Sequence, residues 1–309
     1  MKIDSISDLL YGFIRKDKNA ISKAFEVCIA NEREGNVRNR LRYAYEEYKR
    51  REGMAVLEKL DSSIMQLVTA PYIDRQMDEL YLSDEIKQET ERFLLERRNA
   101  DLLIEKGLLP SNKILLEGPP GNGKTSYVSA LAKLVGVPLL NTNSSLLLNS
   151  YMGKSEQNVS LLFNHLPESC IIFFDEFDAL ASERLMGDSS AMRAYNSIVT
   201  TFLLNLDGLR PSVIFIAATN KSDYLDKALL RRFDIRMEFE NPTDEEKKRY
   251  VAAYLQRNGL DTDVFFKDKV KKKLDKVVSY SALESVMRKR HKELVLDELE
   301  MSAVGNKLF

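Results

Sequence analysis

The residues best suited to chemistry lie together in Gly118-Pro119-Pro120-Gly121-Asn122-Gly123-Lys124-Thr125. The spacing is G-x-x-x-x-G-K-T. An apolar run, Lys113–Glu117, precedes it and predicts a strand; Val128, Leu131, Ala132 and Val135 follow and predict a helix that stops at Gly136. Strand, glycine-rich loop and helix in this order make a phosphate-binding loop. Glycines let the backbone curl until successive N–H groups face an anion. The helix N-terminus adds partial positive charge. The candidate cradle is therefore Pro119, Pro120, Gly121, Asn122, Gly123, Lys124, Thr125 and Ser126. In such a loop the lysine, here Lys124, reaches the β- and γ-phosphates, and the hydroxyl of Thr125 is a ligand for Mg²⁺. ATP and Mg²⁺ are the cofactors this chemistry requires.

Two further groups complete a hydrolytic set. Ile171-Ile172-Phe173-Phe174 runs into Asp175-Glu176. Strand alternation predicts that the two carboxylates diverge, so that one holds Mg²⁺, through water, and the other polarises an attacking water. Ala217-Ala218-Thr219-Asn220 ends the next apolar run on an amide, and Asn220 can donate to a γ-phosphate or orient the water. Arg231 and Arg232, in Leu229-Leu230-Arg231-Arg232-Phe233-Asp234, are more cations than a helix C-terminus needs. In a ring they can enter the neighbouring subunit's site, or they can form interface salt bridges; which of the two would be the finger stays open.

With these residues assembled, the chain resembles a single-module AAA ATPase. The matching pieces are Gly118–Thr125 (Walker A), Ile171–Glu176 (Walker B), Ala218-Thr219-Asn220 (sensor 1) and Leu230–Asp234 (the arginine-finger stretch). Leu206-Asp207-Gly208-Leu209 is similar to the family's intersubunit signalling segment, and the likeness covers roughly residues 78–298. The resemblance implies a homo-oligomeric ring, usually hexameric, with ATP between subunits, and a helical lid at about 243–300. It also implies that Tyr151-Met152-Gly153 is a pore loop whose aromatic grips an extended polypeptide, with Lys154 and the stretch Arg184–Arg193 lining the same pore. Two departures stand out. Arg231 and Arg232 are adjacent, and Tyr280-Ser281-Ala282-Leu283-Glu284 lacks the usual sensor-2 glycine, so no arginine is assigned there.

The elements that must position these groups read as an α/β protein, a P-loop NTPase with a three-layer α/β/α parallel sheet, a C-terminal all-α lid and a small N-terminal helical domain. Strands are predicted at 113–117, 139–141, 171–174, 213–217 and 235–239, with helices at about 155–165, 189–205 and 222–229. Apolar runs without alternation imply a parallel sheet covered on both faces, with ligands at the strands' carboxyl ends. Before the loop, Leu80-Tyr81-Leu82 precedes a Ser83 cap and a long helix to about Lys106. Tyr81 and Leu82 either line an adenine pocket or pack in the core. After Pro242, Thr243-Asp244-Glu245-Glu246 is a capping box, and Tyr250, Val251, Tyr254 and Leu255 turn inward on the helix that follows. The domain boundaries expected are 1–75, 76–242 and 243–309.

Residues 1–75 read as helices, one apolar face being Ile21, Ala24, Phe25, Cys28 and Ile29. The next helix has a basic face, Arg38, Arg40, Arg42 and Lys49, that could meet nucleic acid or an acidic partner, but the interleaved Glu46, Glu47 and Glu52 are more often the pattern of a solvated face. The segment matches no adaptor domain. The 309 residues suffice for two or three domains. A formal net charge of −1 creates no global field to draw nucleic acid. The two cysteines are far apart, His165 and His291 are isolated, and no apolar run approaches the ~18 residues that span a bilayer. Asp4 and Asp8 interrupt what would be the apolar part of a secretion signal, so a cytoplasmic protein is the simplest reading.

Three functions are compatible with these observations. The first is a motor that remodels or threads a protein through a central pore. The second is an ATP-dependent assembly switch that holds or activates a partner effector. Its partner can be a separate protease, as in antiphage systems where bacterial single-module AAA proteins pair with a subtilisin-like enzyme; this chain carries no protease chemistry of its own. The third, a nucleic-acid motor or loader, is disfavoured by the neutral charge and the Tyr-Met-Gly segment and favoured weakly by the basic N-terminal face.

Overall fold

In the computed structural model a six-stranded sheet organises the chain. The structure describes residues 3–15, 18–32, 35–57, 59–71, 73, 75–147, 154–178, 189–225, 227–266, 270–274 and 276–305. The strands are β1 (Val68–Thr69), β2 (Lys113–Glu117), β3 (Leu139–Thr142), β4 (Cys170–Phe174), β5 (Val213–Thr219) and β6 (Ile235–Glu238). Their order in the sheet is β1-β3-β4-β5-β2-β6. Every pairing is parallel except β1 with β3. The central strands β4 and β5 are buried along their whole length, which is why their sequences are uninterrupted apolar runs.

Each face of the sheet has its own core. Leu115, Leu140, Ile172, Phe174 and Phe215 point to one side, where the helices Lys154–Asn164 and Ser189–Asp207 cover them with Val159, Leu162, Val199 and Phe202. Ile114, Leu116, Ile171, Phe173, Ile214 and Ile216 point to the other, under Phe93, Tyr127, Val128 and Leu131. A third apolar cluster, with Val251, Leu255, Phe265, Leu283 and Met287, belongs to the C-terminal helices. A small fourth one, built on Ile21, Phe25 and Tyr45, joins the N-terminal helices Lys18–Asn31 and Gly35–Leu57. Among the described residues no helix is long and apolar enough to cross a membrane.

Three local features differ from the sequence reading. The helix expected to run to about Lys106 is two, Asp84–Arg98 and Ala100–Glu105. Asn99 divides them because its side-chain amide donates back to the Leu95 carbonyl at 2.7 Å, in competition with the helical ladder. The helix expected at 222–229 is a 3₁₀ turn, Ser222–Tyr224, and a short helix, Lys227–Leu230. Leu225 between them is extended because its side chain is drawn into the core beside Leu229. Strand β1 was not expected at all.

Strand β1 has a practical consequence. Leu60, Ile64, Leu67 and Val68, all N-terminal to residue 75, are at most 9% exposed and belong to the sheet's core. Four such side chains contribute on the order of 6–12 kcal/mol at ~1.5–3 kcal/mol each, which rivals a typical domain's net stability of about 5–15 kcal/mol. A chain beginning at residue 59 is therefore expected to keep a cooperative thermal transition. One beginning at residue 76 is expected to lose it or aggregate, as circular dichroism melting of the two will show.

Candidate functional site

The turn after β2 takes its shape from its glycines. Gly118, Gly121 and Gly123 have φ of 128°, 80° and 93°, in the left-handed region that disfavours side chains. A Cβ on Gly118 would also run into the carbonyl of Phe239. The loop leads into the helix Lys124–Val135, seated in the core by Tyr127, whose hydroxyl hydrogen-bonds Thr90 at 2.8 Å. Burial pushes the Tyr127 phenol up to about 12.

Lys124 folds back over this loop. It is 7% exposed, and its Nζ donates to the carbonyls of Gly118 (2.6 Å) and Pro119 (3.0 Å) and to Oδ1 of Asn220 (2.8 Å). Burial lowers its pKa; Asp175 and Asp178 oppose that shift by favouring the charged form. The Thr125 hydroxyl donates to Oδ2 of Asp175 at 3.1 Å. Residues from β2, β4 and β5 thus meet at the carboxyl edge of the sheet, where an open parallel sheet binds ligands.

The Asp175–Glu176 pair is arranged differently from the alternation expected. β4 ends at Phe174, and the carboxylates belong to a turn, not to the strand. Glu176 has φ 51°, the one non-glycine residue with positive φ among those described. Its N–H donates to Oδ1 of Asp175 at 3.0 Å, and the N–H of Phe177 reaches the Ala218 carbonyl at 2.8 Å. These two bonds hold the left-handed turn, and that turn separates the carboxylates. Left-handed backbone in a non-glycine residue costs of order 1–2 kcal/mol and concentrates at functional sites.

A cavity of about 700 Å³ joins these groups. Pro120, Gly121, Asn122, Gly123, Lys124, Thr125, Ser126, Asp175, Glu176 and Asn220 line one end. Tyr81 and Leu82 line the other, so they face the cavity and are not solely core residues. Tyr250 and Tyr280, from the C-terminal helices, complete an aromatic cluster with Tyr81, at centroid distances of 4.7 Å and 6.2 Å. Burial pushes the Tyr250 and Tyr280 phenols up to about 12. The size lies within the range of about 300–1,000 Å³ usual for small-molecule sites.

Several lining residues escaped the sequence reading. Arg257, Glu284 and Arg288 border the cavity, and Arg288 pairs with Glu284 at 2.6 Å. Asp178 accepts from the Thr219 hydroxyl at 3.1 Å, behind Lys124. Tyr250 and Tyr254 pack partly on the apolar cluster of the C-terminal helices, as their inward spacing suggests, and also border the cavity.

The two candidate arginines separate. Arg232 forms a two-pronged ion pair with Asp207 of its own chain, at 2.8 Å and 3.1 Å. That pairing raises the Arg232 pKa and lowers that of Asp207. Arg231 is exposed, and its guanidinium has no partner among the described residues. Neither arginine borders the chain's own cavity. Tyr151, Met152 and Gly153 lie outside the described residues, as do residues 179–188.

The donor set suits a hard divalent cation. A hydroxyl and a carboxylate in contact, Thr125 and Asp175, are oxygen ligands of the kind Mg²⁺ takes. Among the described residues no group of three or more His, Cys, Asp or Glu is placed to hold a metal. Phosphate and water would have to complete the coordination, which is the usual mode for Mg²⁺.

Comparison with known proteins is consistent with this geometry. Residues 114–241 match the family described as "ATPase family associated with various cellular activities (AAA)". The chain is 34% identical over 183 residues to the 26S proteasome regulatory subunit S10B homolog B of Arabidopsis thaliana, a match covering 58% of this chain and 46% of that one. It is 38% identical over 148 residues to the uncharacterized AAA family ATPase y4kL of Sinorhizobium fredii, covering 48% of this chain and 44% of the relative. Ribosome biogenesis ATPase RIX7 of Saccharomyces cerevisiae is 35% identical over 179 residues, 55% of this chain and 21% of its own length. The chain thus spans about half, or less, of the length of the curated relatives it matches.

Proposed function

Because residues 114–241 are an AAA ATPase domain, we propose that the chain hydrolyses ATP in a homo-oligomeric, hexameric ring and uses that energy to remodel or thread proteins. The observation that carries the reading is the meeting of Lys124, Thr125, Asp175, Glu176 and Asn220 around one cavity with an aromatic far end. Relatives named as a proteasome regulatory subunit and a ribosome biogenesis ATPase support remodelling as the outcome.

Each side chain has a task in this scheme. The loop amides and Lys124 receive the β- and γ-phosphates; Lys124 exchanges its carbonyl partners for phosphate oxygens. Thr125 and Asp175 would hold Mg²⁺, which neutralises charge on the phosphates when bound. Glu176 accepts a proton from the attacking water. Asn220 keeps its carbonyl on Lys124 and offers its NH₂ group to the γ-phosphate or the water. Tyr81, Tyr250 and Tyr280 supply faces on which a purine stacks. Arg231, free of its own chain's site, reaches the neighbour's γ-phosphoryl.

A second reading, an assembly switch that holds a partner, is favoured by the helix Ile3–Arg15, where Leu10, Tyr11 and Ile14 are 57%, 58% and 75% exposed. The two are told apart with Tyr151→Ala, assayed by unfolding of a fluorescent protein bearing an unstructured tail. A threading motor is expected to lose unfolding by at least tenfold, because the aromatic grip is gone. Unfolding at the wild-type rate would remove the threading reading and leave the switch.

A further inference from the structure

The phosphate loop and the C-terminal helices touch through one buried side chain. Asn122 is 4% exposed although it stands at a loop position whose backbone alone serves the phosphates. Its Nδ2 donates to Oδ1 of Asn241 at 2.9 Å and lies 3.5 Å from the Phe239 carbonyl. Its Oδ1 accepts from the backbone N–H of Tyr280 at 3.3 Å. A backbone N–H can only donate, so Oδ1 must face Tyr280, and this fixes Nδ2 toward Asn241. One amide therefore ties the loop to two segments more than a hundred residues downstream: the linker after β6 and the start of the helix Tyr280–Gly305.

The neighbouring residue strengthens the joint. The Gly121 carbonyl accepts from Ser281 N at 2.9 Å. A Cβ on Gly121 would lie 3.1 Å from Ser279 Oγ and 3.2 Å from Ser281 Cβ, so the helix start rests directly on the loop. The first N–H groups of a helix have no partner within it. Here two of them, at Tyr280 and Ser281, are satisfied by the loop that receives phosphate. The same helix brings Tyr280, Glu284 and Arg288 to the cavity.

We propose that Asn122, through Asn241 and Tyr280, is a positioning residue that makes the C-terminal helices follow the phosphate loop, so that nucleotide occupancy is read out as lid orientation. The inference rests on the ATP-binding reading above and adds the route by which binding becomes movement. When the loop adjusts to phosphate, the amide carries the linker and the helix start with it. Removing the acceptor at Asn241 uncouples the linker while leaving the cradle's own residues in place.

The test is a fluorophore pair, one label on the sheet domain and one on the helix Tyr280–Gly305, followed as a non-hydrolysable ATP analogue is added to the full chain. Occupancy is measured separately with a fluorescent nucleotide. The wild type is expected to change its interlabel distance on binding. Asn241→Ala and Asn122→Ala are expected to reduce that change at least threefold at full occupancy. Asn241→Asp keeps an acceptor for Asn122 Nδ2 and is expected to restore it. A full wild-type change in Asn241→Ala at saturation would overturn the coupling, and so would loss of the change in Asn241→Asp when that variant binds and folds normally. Absence of analogue binding by the wild type would instead overturn the ATP reading, and the inference with it.

Discussion

Alanine in place of Arg231 is expected to slow ATP turnover by roughly 10³–10⁵-fold, the range associated with an arginine that stabilises charge on a transferring phosphoryl group. The sequence presents two adjacent arginines as equals. Within the chain they are unequal, because Arg232 is held by both carboxylate oxygens of Asp207 while the Arg231 guanidinium has no partner among the described residues. A cation already committed to a two-pronged pair is poorly placed to reach another subunit. Arg232→Ala is accordingly expected to cost far less than Arg231→Ala and to act through Asp207. Steady-state phosphate release measures both. The decisive version mixes Arg231→Ala with Lys124→Ala, each inactive alone. In a mixed ring some interfaces pair an intact cradle with an intact arginine, so activity returns. Arg231→Ala turnover within tenfold of wild type, or mixtures as dead as their components, would rule out a finger acting between subunits.

Glu176→Gln is expected to lower hydrolysis by about 10²–10⁴-fold, the contribution typical of a positioned general base, while ATP still binds. Glutamine keeps the shape of the side chain and removes its capacity to take a proton. It also keeps the left-handed turn, because the bonds that hold that turn come from Glu176 N to Asp175 and from Phe177 N to Ala218, neither of which involves the Glu176 carboxylate. The loss is therefore chemical and not a misfolding effect, and thermal stability should be unchanged. Single-turnover hydrolysis and nucleotide retention on a sizing column give the two readouts. Turnover at the wild-type rate would remove the water-polarising role from this residue. Asp175→Asn differs in kind: it weakens the contact with Thr125 and the oxygen set for the cation, so its defect should appear in metal dependence.

The sheet and the place of the cavity at its carboxyl edge were legible because a doubly covered parallel sheet leaves a strong mark. Ile171–Phe174 and Val213–Ala217 can be uninterrupted apolar runs only if both faces are buried, and in that topology chemistry must follow the strands. Strand β1 left no such mark: two residues have no period. The linking of Tyr81, Tyr250 and Tyr280 was illegible for a different reason. Each tyrosine is locally compatible with core packing, and their common cavity arises from a tertiary approach across nearly 200 residues. The same holds for Asp207 and Arg232, whose spacing of 25 residues suggests nothing until the helix Ser189–Asp207 ends beside the arginine pair. The sequence marks Asn122 only as part of a backbone cradle, since a side-chain tie to Asn241 and Tyr280 depends on segments more than a hundred residues downstream.

The internal satisfaction of Lys124 bears on how this pocket can be inhibited. With its ammonium shared among Gly118, Pro119 and Asn220, Lys124 already has its donors engaged by neutral oxygens, although it keeps its charge. A neutral, flat compound is therefore expected to compete for the tyrosine end by stacking alone, without an anionic group. Selectivity over other enzymes of the same kind would then come from three phenol rings and the Glu284–Arg288 pair, the parts of the pocket least dictated by phosphate chemistry.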